Sequence, residues 1–378
     1  VGGITPGSMP PHSSHIDSEG VLFEPMKIMS EGELDEHSFK ARLQSASYPA
    51  RNIAENLADL HAQCAANHAG LRAMDLLIAQ MGEERTLQYM EHTLSLGEKK
   101  TRAALSQLAL DSPKCWKQIM DQGDVICVEA SRKSDGRVLI DFSGTSPQSA
   151  SNFNAPTAIT RACVLYVLRW IVGEEMPLND GCLRAVDIRI PSHSLLDPLA
   201  PAAVVAGNVE TSQVITDALL ATLGLMANGP GTMNNLTFGT ETYQHYETLC
   251  GGGGATAHGH GSTGKHVHMT NSRLTDPEIL ESRFPITLEA FGIRQHSGGR
   301  GRWSGGDGVF RSLRFNEPMQ VSLLGNSRSV RPLGLQGGEC GQSGLNQLTD
   351  RSGHEHQLAG CVTFEVQGGE ILTILTPG

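Results

Sequence analysis

The chain has 378 residues, of which 39% are hydrophobic and 18% charged, as in an ordinary globular protein. Because a single hydrophobic core rarely exceeds roughly 250–300 residues, we expect two packed subdomains. The formal net charge of −11 is spread along the sequence and excludes the basic patch of a nucleic-acid-binding surface. No apolar run approaches the roughly 18 residues of a membrane span, and no signal peptide is visible. The eight cysteines form no C-x-x-C pair. Together these features favour a cytoplasmic protein with reduced thiols.

Residues 53–110 predict a long helical hairpin. Apolar residues recur at three- and four-residue steps on both sides of Gly82, which is placed to end the first helix. Asn52 is placed to cap the start of that helix. The first apolar seam includes Leu71 and the second Leu87, and we expect the two seams to face each other in an antiparallel pair.

The central region predicts mixed α and β structure. Two strands at 125–130 and 138–142 are joined by a turn, and a helix follows through Trp170. A further helix at 212–226 follows Gly207, and we expect its first turn to offer free backbone N–H groups to an anionic or carbonyl oxygen.

The C-terminal part predicts a β-rich subdomain, because short strands alternate there with glycine turns. These strands are expected at 309–315, 320–324, 362–366 and 371–375. The predicted fold class is therefore α+β. We expect one unit over residues 1–285 and a β-rich unit over 286–378.

Residues 207–285 have the composition of a site wall. Small, polar, amide and imidazole residues alternate there with glycine, so backbone can approach a ligand while side chains hydrogen-bond to it. Polar residues at this density are costly to bury unless they are paired. The residues expected to bind a substrate amide are Asn208, Thr211, Asn234, Asn235 and Asn271.

The wall also contains candidate catalytic residues. Glu210 and Glu247 are enclosed by amides and glycines, which would raise the pKa of a carboxyl group and suit it to general acid–base catalysis. A salt bridge to Arg273 or Arg283 is the equal alternative for these carboxylates. Tyr246 is placed to donate a hydrogen bond to a developing oxyanion.

His266 and His268 complete the set of catalytic candidates. On a strand they would share one face and could present two imidazoles to a metal, but no carboxylate supplies a third ligand. We therefore expect hydrogen-bonding roles and assign no metal ligand in this chain. The run 259–265 nearly spells a phosphate-binding loop, but His266 stands where Ser or Thr is required, so no nucleotide site is predicted.

Short motifs along the whole chain carry a family resemblance. They lie at residues 2–12, 56–60, 141–145, 177–182, 207–213, 231–239, 246–254, 266–271, 273–278, 305–308 and 376–378. These motifs resemble the hydantoinase B/oxoprolinase family. The family includes the hydrolase half of ATP-dependent 5-oxoprolinases and N-methylhydantoinases and, more distantly, a subunit of acetone carboxylase.

The resemblance implies partners and cofactors that this chain does not itself hold. A hydantoinase A-like ATPase half, fused or separate, would bind ATP with Mg²⁺ and phosphorylate the carbonyl oxygen of a small-molecule substrate, and we expect a homo- or hetero-oligomer. The family's metal-binding His and Asp residues lie upstream of the Gly2 motif, so a divalent metal is expected in a segment that this sequence lacks. Because the chain begins at Val1, we expect a piece of a longer protein that is inactive alone.

The function implied by the resemblance is the ring opening of a cyclic amide. The motifs favour a 5-oxoprolinase, which converts 5-oxo-L-proline to L-glutamate, although hydantoinases share them. An N-methylhydantoinase-type subunit, an acetone carboxylase-like subunit and a non-catalytic scaffold of such a complex remain alternatives.

Overall fold

Residues 1–173 and 175–378 are described by a computed structural model, whose α+β architecture confirms the predicted fold class. The α-helices in this part of the chain are α1 (Glu36–Ser45), α2 (Ile53–Met81), α3 (Glu83–Ser106), α4 (Thr157–Val172), α5 (Ser212–Thr222) and α6 (Pro277–Arg283). The strands are β1 (Met29–Ser30), β2 (Glu33–Leu34), β3 (Lys114–Ile119), β4 (Val125–Arg132), β5 (Val138–Asp141), β6 (Val186–Arg189), β7 (Asn235–Gly239), β8 (Gln244–Thr248), β9 (Ile286–Ile293), β10 (Val309–Phe315), β11 (Met319–Leu324), β12 (Leu345–Thr349), β13 (Glu355–Leu358), β14 (Cys361–Val366) and β15 (Ile371–Leu375). None of the helices in the described ranges combines the length and apolar character that a membrane crossing requires.

A four-stranded sheet and two helices form the first core. The strand order is β3-β4-β5-β6, in which β5 and β6 are parallel and the other neighbours antiparallel. The β4–β5 pair confirms the strands predicted around the turn at 133–136. Helix α5 packs on β3 and β4 and against α4, and every residue of α5 is buried. A wholly buried helix obliges its polar side chains to find partners inside the protein.

The second core joins two further sheets, ordered β14-β11-β7-β8 and β13-β12-β15-β10-β9. Phe238 of β7, Val321 of β11 and Phe315 of β10 are among its fully buried side chains. Strands β10, β11, β14 and β15 confirm the predicted C-terminal strands. Strand β7 precedes residue 285 in the sequence but pairs with β11, so this core draws on both sides of that position. The division into units 1–285 and 286–378 stays a prediction.

Helices α2 and α3 confirm the two predicted helices, but their packing differs from the prediction. Asn52 caps α2 by accepting a hydrogen bond from the Glu55 N–H at 3.2 Å, and Gly82 ends α2 with a φ of 85°. The apolar seam is not buried between the helices, because Leu71 is 63% exposed and Leu87 57%. Helical periodicity identifies residues that share a face, but it does not determine which surface covers that face.

Candidate active site

The wall of the candidate site starts in a π-helical turn, Gly207–Thr211, that runs directly into α5. A Cβ at Gly207 would lie 2.2 Å from Asn154 O, so only glycine allows this close packing. The Ser212 N–H already donates to Gly207 O. Helix α5 begins at Ser212 as predicted and ends at Thr222, before the predicted end at 226. The prediction of free N–H groups in its first turn is wrong, because helical hydrogen bonding already begins in the preceding turn.

One face of this continuous helix carries three buried polar side chains. Glu210, Gln213 and Asp217 have the spacing i, i+3 and i+7, which places them on one side, and none is more than 1% exposed. The Gln213 amide donates to Val267 O at 3.2 Å and to Thr270 Oγ1 at 2.7 Å, which ties the helix to the histidine-containing segment. Neither Gln213 nor Asp217 was predicted from the sequence, although polar residues at helical spacing within an apolar helix are a recognisable signal.

Glu210 is fully buried. Its Oε1 accepts hydrogen bonds from the Met233 N–H at 3.0 Å and from the Asn235 amide at 2.7 Å, whereas Oε2 has no partner in the part of the chain that the structure describes. Burial raises the pKa of Glu210 to about 8, and its neighbours, including Thr232 and Arg328, only partly offset that effect. A carboxyl group in this environment carries its proton at neutral pH.

Asn235 connects Glu210 to Tyr246. The Tyr246 hydroxyl donates to Asn235 Oδ1 at 2.9 Å, and the Asn235 amide donates both to Glu210 and to Leu324 O at 2.7 Å. Tyr246 is 38% exposed, and burial of its hydroxyl, followed by the charge of Glu210, raises the pKa of Tyr246 above its ordinary value. Three residues predicted from the sequence thus form one hydrogen-bonded chain from the surface to a buried carboxyl group.

Two other residues predicted to bind substrate are occupied by protein contacts. The Thr211 hydroxyl donates to Phe153 O at 2.5 Å. Asn234 has a φ of 50°, donates to Leu249 O at 3.2 Å and accepts a hydrogen bond from Arg328 at 2.9 Å. These bonds hold the wall in shape, and a substrate would have to displace them to bind either side chain. Their substrate-binding role stays a prediction.

Asn208 and Asn271 lie apart from this buried cluster. Both are exposed, although Asn208 belongs to the same π-helical turn as Glu210. Residues two positions apart in a helix lie on nearly opposite sides, so the Asn208 side chain faces solvent while that of Glu210 is buried. The substrate-binding role predicted for these two residues also stays a prediction.

Glu247 takes part in a buried ion pair. Its Oε1 lies 3.0 Å from Arg311 Nε, with both side chains at most 2% exposed, and its Oε2 accepts a hydrogen bond from the Thr275 N–H at 3.3 Å. Burial alone would raise the pKa of Glu247, but the neighbouring His245 and Arg311 outweigh it and the pKa is lowered. The salt bridge weighed as an alternative is thus present. Its partner is Arg311 of β10, not either of the arginines named from the sequence.

His268 is held on both sides of its ring. Its Nε2 lies 3.1 Å from Asp217 Oδ1, and its Nδ1 lies 3.4 Å from the Tyr166 hydroxyl. Asp217 Oδ1 also accepts the Gly229 N–H at 2.8 Å. A carboxylate at this distance favours the tautomer with the proton on Nε2, which leaves Nδ1 as an acceptor. Burial raises the pKa of Tyr166, so its hydroxyl keeps the proton that it can donate to Nδ1.

A cavity of about 270 Å³ lies beside this pair. It is lined by Tyr166, Met226, Gly253, Gly254, Ser262, Lys265, His266, Val267 and His268. His266 Nε2 is buried and has no hydrogen-bond partner among the described residues. Burial lowers the pKa of His266, and the charge of Glu247 opposes this only in part, so the ring is neutral at neutral pH. His266 and the oriented His268 therefore line one cavity, and the Nε2 atom of His266 is buried beside it without a partner.

A second cavity of about 340 Å³ shares Met226, Gly253 and Gly254 with the first. Glycine-rich loops form most of its lining, and Arg300 and Arg302 are its basic residues. None of the predicted catalytic residues lines it. Of the predicted catalytic residues, His266 and His268 line the smaller cavity, and Glu210, Tyr246 and Glu247 line neither cavity. Within residues 1–173 and 175–378, no group of three or more His, Cys, Asp or Glu side chains is arranged to hold a metal ion.

Comparisons with known proteins identify relatives along the whole chain. The sequence model of the Hydantoinase B/oxoprolinase family matches residues 1–378. The chain is 42% identical over 400 residues to 5-oxoprolinase 1 of Arabidopsis thaliana, a match that covers 100% of this chain and 32% of that protein. It is 39% identical over 388 residues to 5-oxoprolinase of Dictyostelium discoideum, with 100% of this chain and 30% of that protein covered. The chain thus spans about a third of the length of these curated relatives.

The fold is similar to that of a solved structure. The crystal structure of ATP-dependent caprolactamase from Pseudomonas jessenii superposes with a TM-score of 0.86 at 20% identity, covering 100% of this chain and 69% of that chain. At this identity the likeness concerns the fold alone. The family match extends over every residue, and the sequence identity to the two oxoprolinases is about twice the identity to the caprolactamase. The chain belongs to the Hydantoinase B/oxoprolinase family.

Proposed function

We propose that this chain is the hydrolase half of an ATP-dependent enzyme that opens cyclic amides, with 5-oxo-L-proline as substrate and L-glutamate as product. The names of the A. thaliana and D. discoideum relatives support this choice of substrate. The observation that carries the proposal is the cavity of about 270 Å³ that is lined by both His266 and the Asp217-bound His268. That space is sufficient for a five-membered ring and a water molecule.

The unactivated reaction is slow because amide resonance stabilises the ring. In this proposal ATP with Mg²⁺ binds to a hydantoinase A-like ATPase half, fused or separate, and supplies the phosphorylation that makes the carbonyl oxygen a leaving group. A divalent metal is expected in an upstream segment, and no step is assigned to it. The remaining work, which falls to this chain, is to bind the activated ring and deliver water to it.

His266 is the proposed general base. It is neutral at neutral pH, and its buried Nε2 has no partner among the described residues. In this proposal the substrate brings a water molecule to Nε2, which takes a proton from it. His268 is the proposed orienting group: Asp217 holds its Nε2, and its Nδ1 and the Tyr166 hydroxyl form a polar side of the cavity. A fixed polar side holds the ring in one orientation, which is a large part of the catalytic effect.

Glu210 and Tyr246 do not line this cavity. We propose that they position its wall, because Glu210 shares a helix face with Gln213 and Asp217, both of which contact the histidine segment. The Glu247–Arg311 pair is proposed to hold β8 against β10. Direct catalytic roles for these three residues remain predictions, and the variants described below distinguish the two possibilities.

The test is a coupled assay on this chain, with any natural extension it has, assembled with its proposed ATPase half. We expect equal amounts of glutamate and ADP from 5-oxo-L-proline, and neither product without the other. We expect no turnover by the isolated 378 residues. A His266→Gln variant should lose glutamate formation, whereas His258→Gln, an exposed histidine that lines neither cavity, is the matched control.

Each alternative function gives a different result in the same assay. Turnover of hydantoins instead of 5-oxo-L-proline would indicate a hydantoinase-type subunit. ADP formation that requires bicarbonate and a ketone would indicate a carboxylase-type subunit. If the assembly turns over 5-oxo-L-proline and every cavity variant keeps full activity, the chain is a scaffold and the proposal fails.

A further inference from the structure

The run 259–265, which resembles but does not form a phosphate-binding loop, ends in a residue of the candidate site. Lys265 lines the same cavity of about 270 Å³ as His266 and His268. Its backbone is fixed by two hydrogen bonds with Gly251, Lys265 N–H to Gly251 O at 3.1 Å and Gly251 N–H to Lys265 O at 3.3 Å. The backbone of Lys265 is therefore fixed beside the cavity, and its side chain is exposed.

Lys265 also supplies the positive charge of this cavity. Among the nine lining residues it is the only Lys or Arg, and none of them is an Asp or Glu. Asp217 lies behind His268, where its Oδ1 is already bonded to the His268 ring and to the Gly229 N–H. In the described part of the chain, Lys265 forms no ion pair with any carboxylate. Lys265 is exposed and lines a small cavity, and an ammonium group without a carboxylate partner is suited to an anionic group on the ligand.

We propose that Lys265 binds the carboxylate of the substrate, so that the site selects cyclic amides that bear a carboxylate over those that do not. This inference rests on the proposed function and adds a substrate class to it. 5-Oxo-L-proline carries such a carboxylate next to its ring nitrogen, whereas 2-pyrrolidinone has the same ring without it. The ammonium would fix one end of the ring while His266 and the Tyr166–His268 pair lie along the cavity wall.

The anion that Lys265 contacts has two possible sources, and the substrate pair distinguishes them. A carboxylate is present only on 5-oxo-L-proline, whereas the phosphoryl group of an activated ring would be present on both compounds. If Lys265 binds the carboxylate, its loss weakens binding of 5-oxo-L-proline alone. If it binds the phosphoryl group, its loss reduces turnover of both rings equally.

The experiment measures Kd for 5-oxo-L-proline and 2-pyrrolidinone by calorimetry, and KM and kcat for both, on the full-length protein with its ATPase half. For Lys265→Met we expect Kd and KM for 5-oxo-L-proline to rise on the order of 10- to 100-fold, as for loss of a hydrogen bond to a charged group, with no change for 2-pyrrolidinone. Lys265→Arg keeps the charge and should recover part of the affinity. Lys99→Met, on the exposed surface of α3, makes the same change away from the cavity and should behave as wild type.

Three outcomes would overturn the inference. An unchanged ratio of the two Kd values in Lys265→Met, in an assembly that binds 5-oxo-L-proline, refutes the carboxylate contact and leaves the proposed function intact. Equal losses with both rings assign Lys265 to a group that both carry. Failure of the wild-type assembly to bind or turn over 5-oxo-L-proline removes the proposed function and this inference together.

Discussion

Asp217 Oδ1 lies 3.1 Å from His268 Nε2, although 51 residues separate the two in the sequence. Asp217 comes from the buried helix α5, and His268 has a φ of 53° in a loop that Gln213 ties to the same helix. This contact fixes the His268 ring where it lines the cavity.

Replacing Asp217 with asparagine should weaken the control of the His268 tautomer. The Asn oxygen can still accept from the Gly229 N–H and from Nε2, but the negative charge that favours the proton on Nε2 is lost, so the tautomer is held less strongly. We expect kcat for 5-oxo-L-proline to fall by at least about 10-fold in steady-state kinetics. Asp59→Asn, on the exposed surface of α2, is the control. Equal kcat values for the two variants would show that the Asp217–His268 contact is not used.

Glu210 should make stability depend on pH in a specific direction. Its pKa is raised from 4.5 to about 8, so between these values the folded state holds a proton that the unfolded state releases. The free energy of unfolding therefore falls as the pH rises through this window, by up to about 1.4 kcal/mol per pH unit, and the stabilising contribution is complete only below pH 4.5.

The variant Glu210→Gln isolates this effect because glutamine does not titrate. Its Tm should vary less than that of wild type between pH 4.5 and 8, and above pH 8 it should be the more stable protein. Glu241→Gln, at an exposed position, should follow the wild-type curve. Parallel Tm curves for wild type and Glu210→Gln would contradict the raised pKa. A loss of kcat at unchanged Tm would instead support a direct catalytic role.

The Glu247–Arg311 pair should be structural. Removing one partner leaves a buried charge unpaired, so Glu247→Gln or Arg311→Met should each cost about 3–5 kcal/mol of unfolding free energy in urea titrations. The double variant should cost less than the sum of the two. As a control, Arg314→Met breaks the exposed pair in which Arg314 Nε lies 2.8 Å from Glu289 Oε1, and it should cost less than about 1 kcal/mol. A stable Glu247→Gln protein that has lost kcat would assign Glu247 to catalysis.

The Tyr246 hydroxyl should stabilise the folded site wall and should not take part in catalysis. Tyr246→Phe leaves the buried Asn235 Oδ1 without its donor at 2.9 Å, so we expect a loss of about 1–3 kcal/mol in unfolding free energy. We expect kcat to change by less than about 10-fold, because loss of an oxyanion donor typically costs 100-fold or more. Tyr89→Phe, 58% exposed on α3, is the control. A 100-fold fall in kcat with normal stability would restore the oxyanion role.

Local sequence patterns predicted the elements well, because caps and periodicity are local. Asn52 and Gly82 bound α2 as expected, and the strands around 133–136 pair as expected. The exposed seam at Leu71 and Leu87 was not predictable, because periodicity gives a face and not its partner. The π-helical turn at Gly207 was missed for a related reason: glycine followed by asparagine is usual in turns, and only the packing of Gly207 against Asn154 favours a helix.

The candidate site was predictable only in part. Polar composition identified the segment that contains Glu210, His266 and His268, and the structure places the two histidines on one cavity. Asp217, the partner of His268, and Arg311, the partner of Glu247, lie far from these residues in the sequence, so no local sequence pattern predicts either pairing. Tyr166 belongs to a different helix, α4, where its spacing is that of a core residue. Long-range pairing of polar groups is a property of the packed protein.

The most direct test of this account is the yield of glutamate per ADP from the full-length assembly carrying His266→Gln, with 5-oxo-L-proline as substrate. Loss of the proposed general base should slow ring opening on the order of 100-fold while the ATPase half still accepts ATP, so glutamate formation should collapse and any remaining ADP should exceed it. His258→Gln should keep the two products equal. Glutamate and ADP formed by His266→Gln in equal amounts and at the wild-type rate would show that the ring is opened elsewhere.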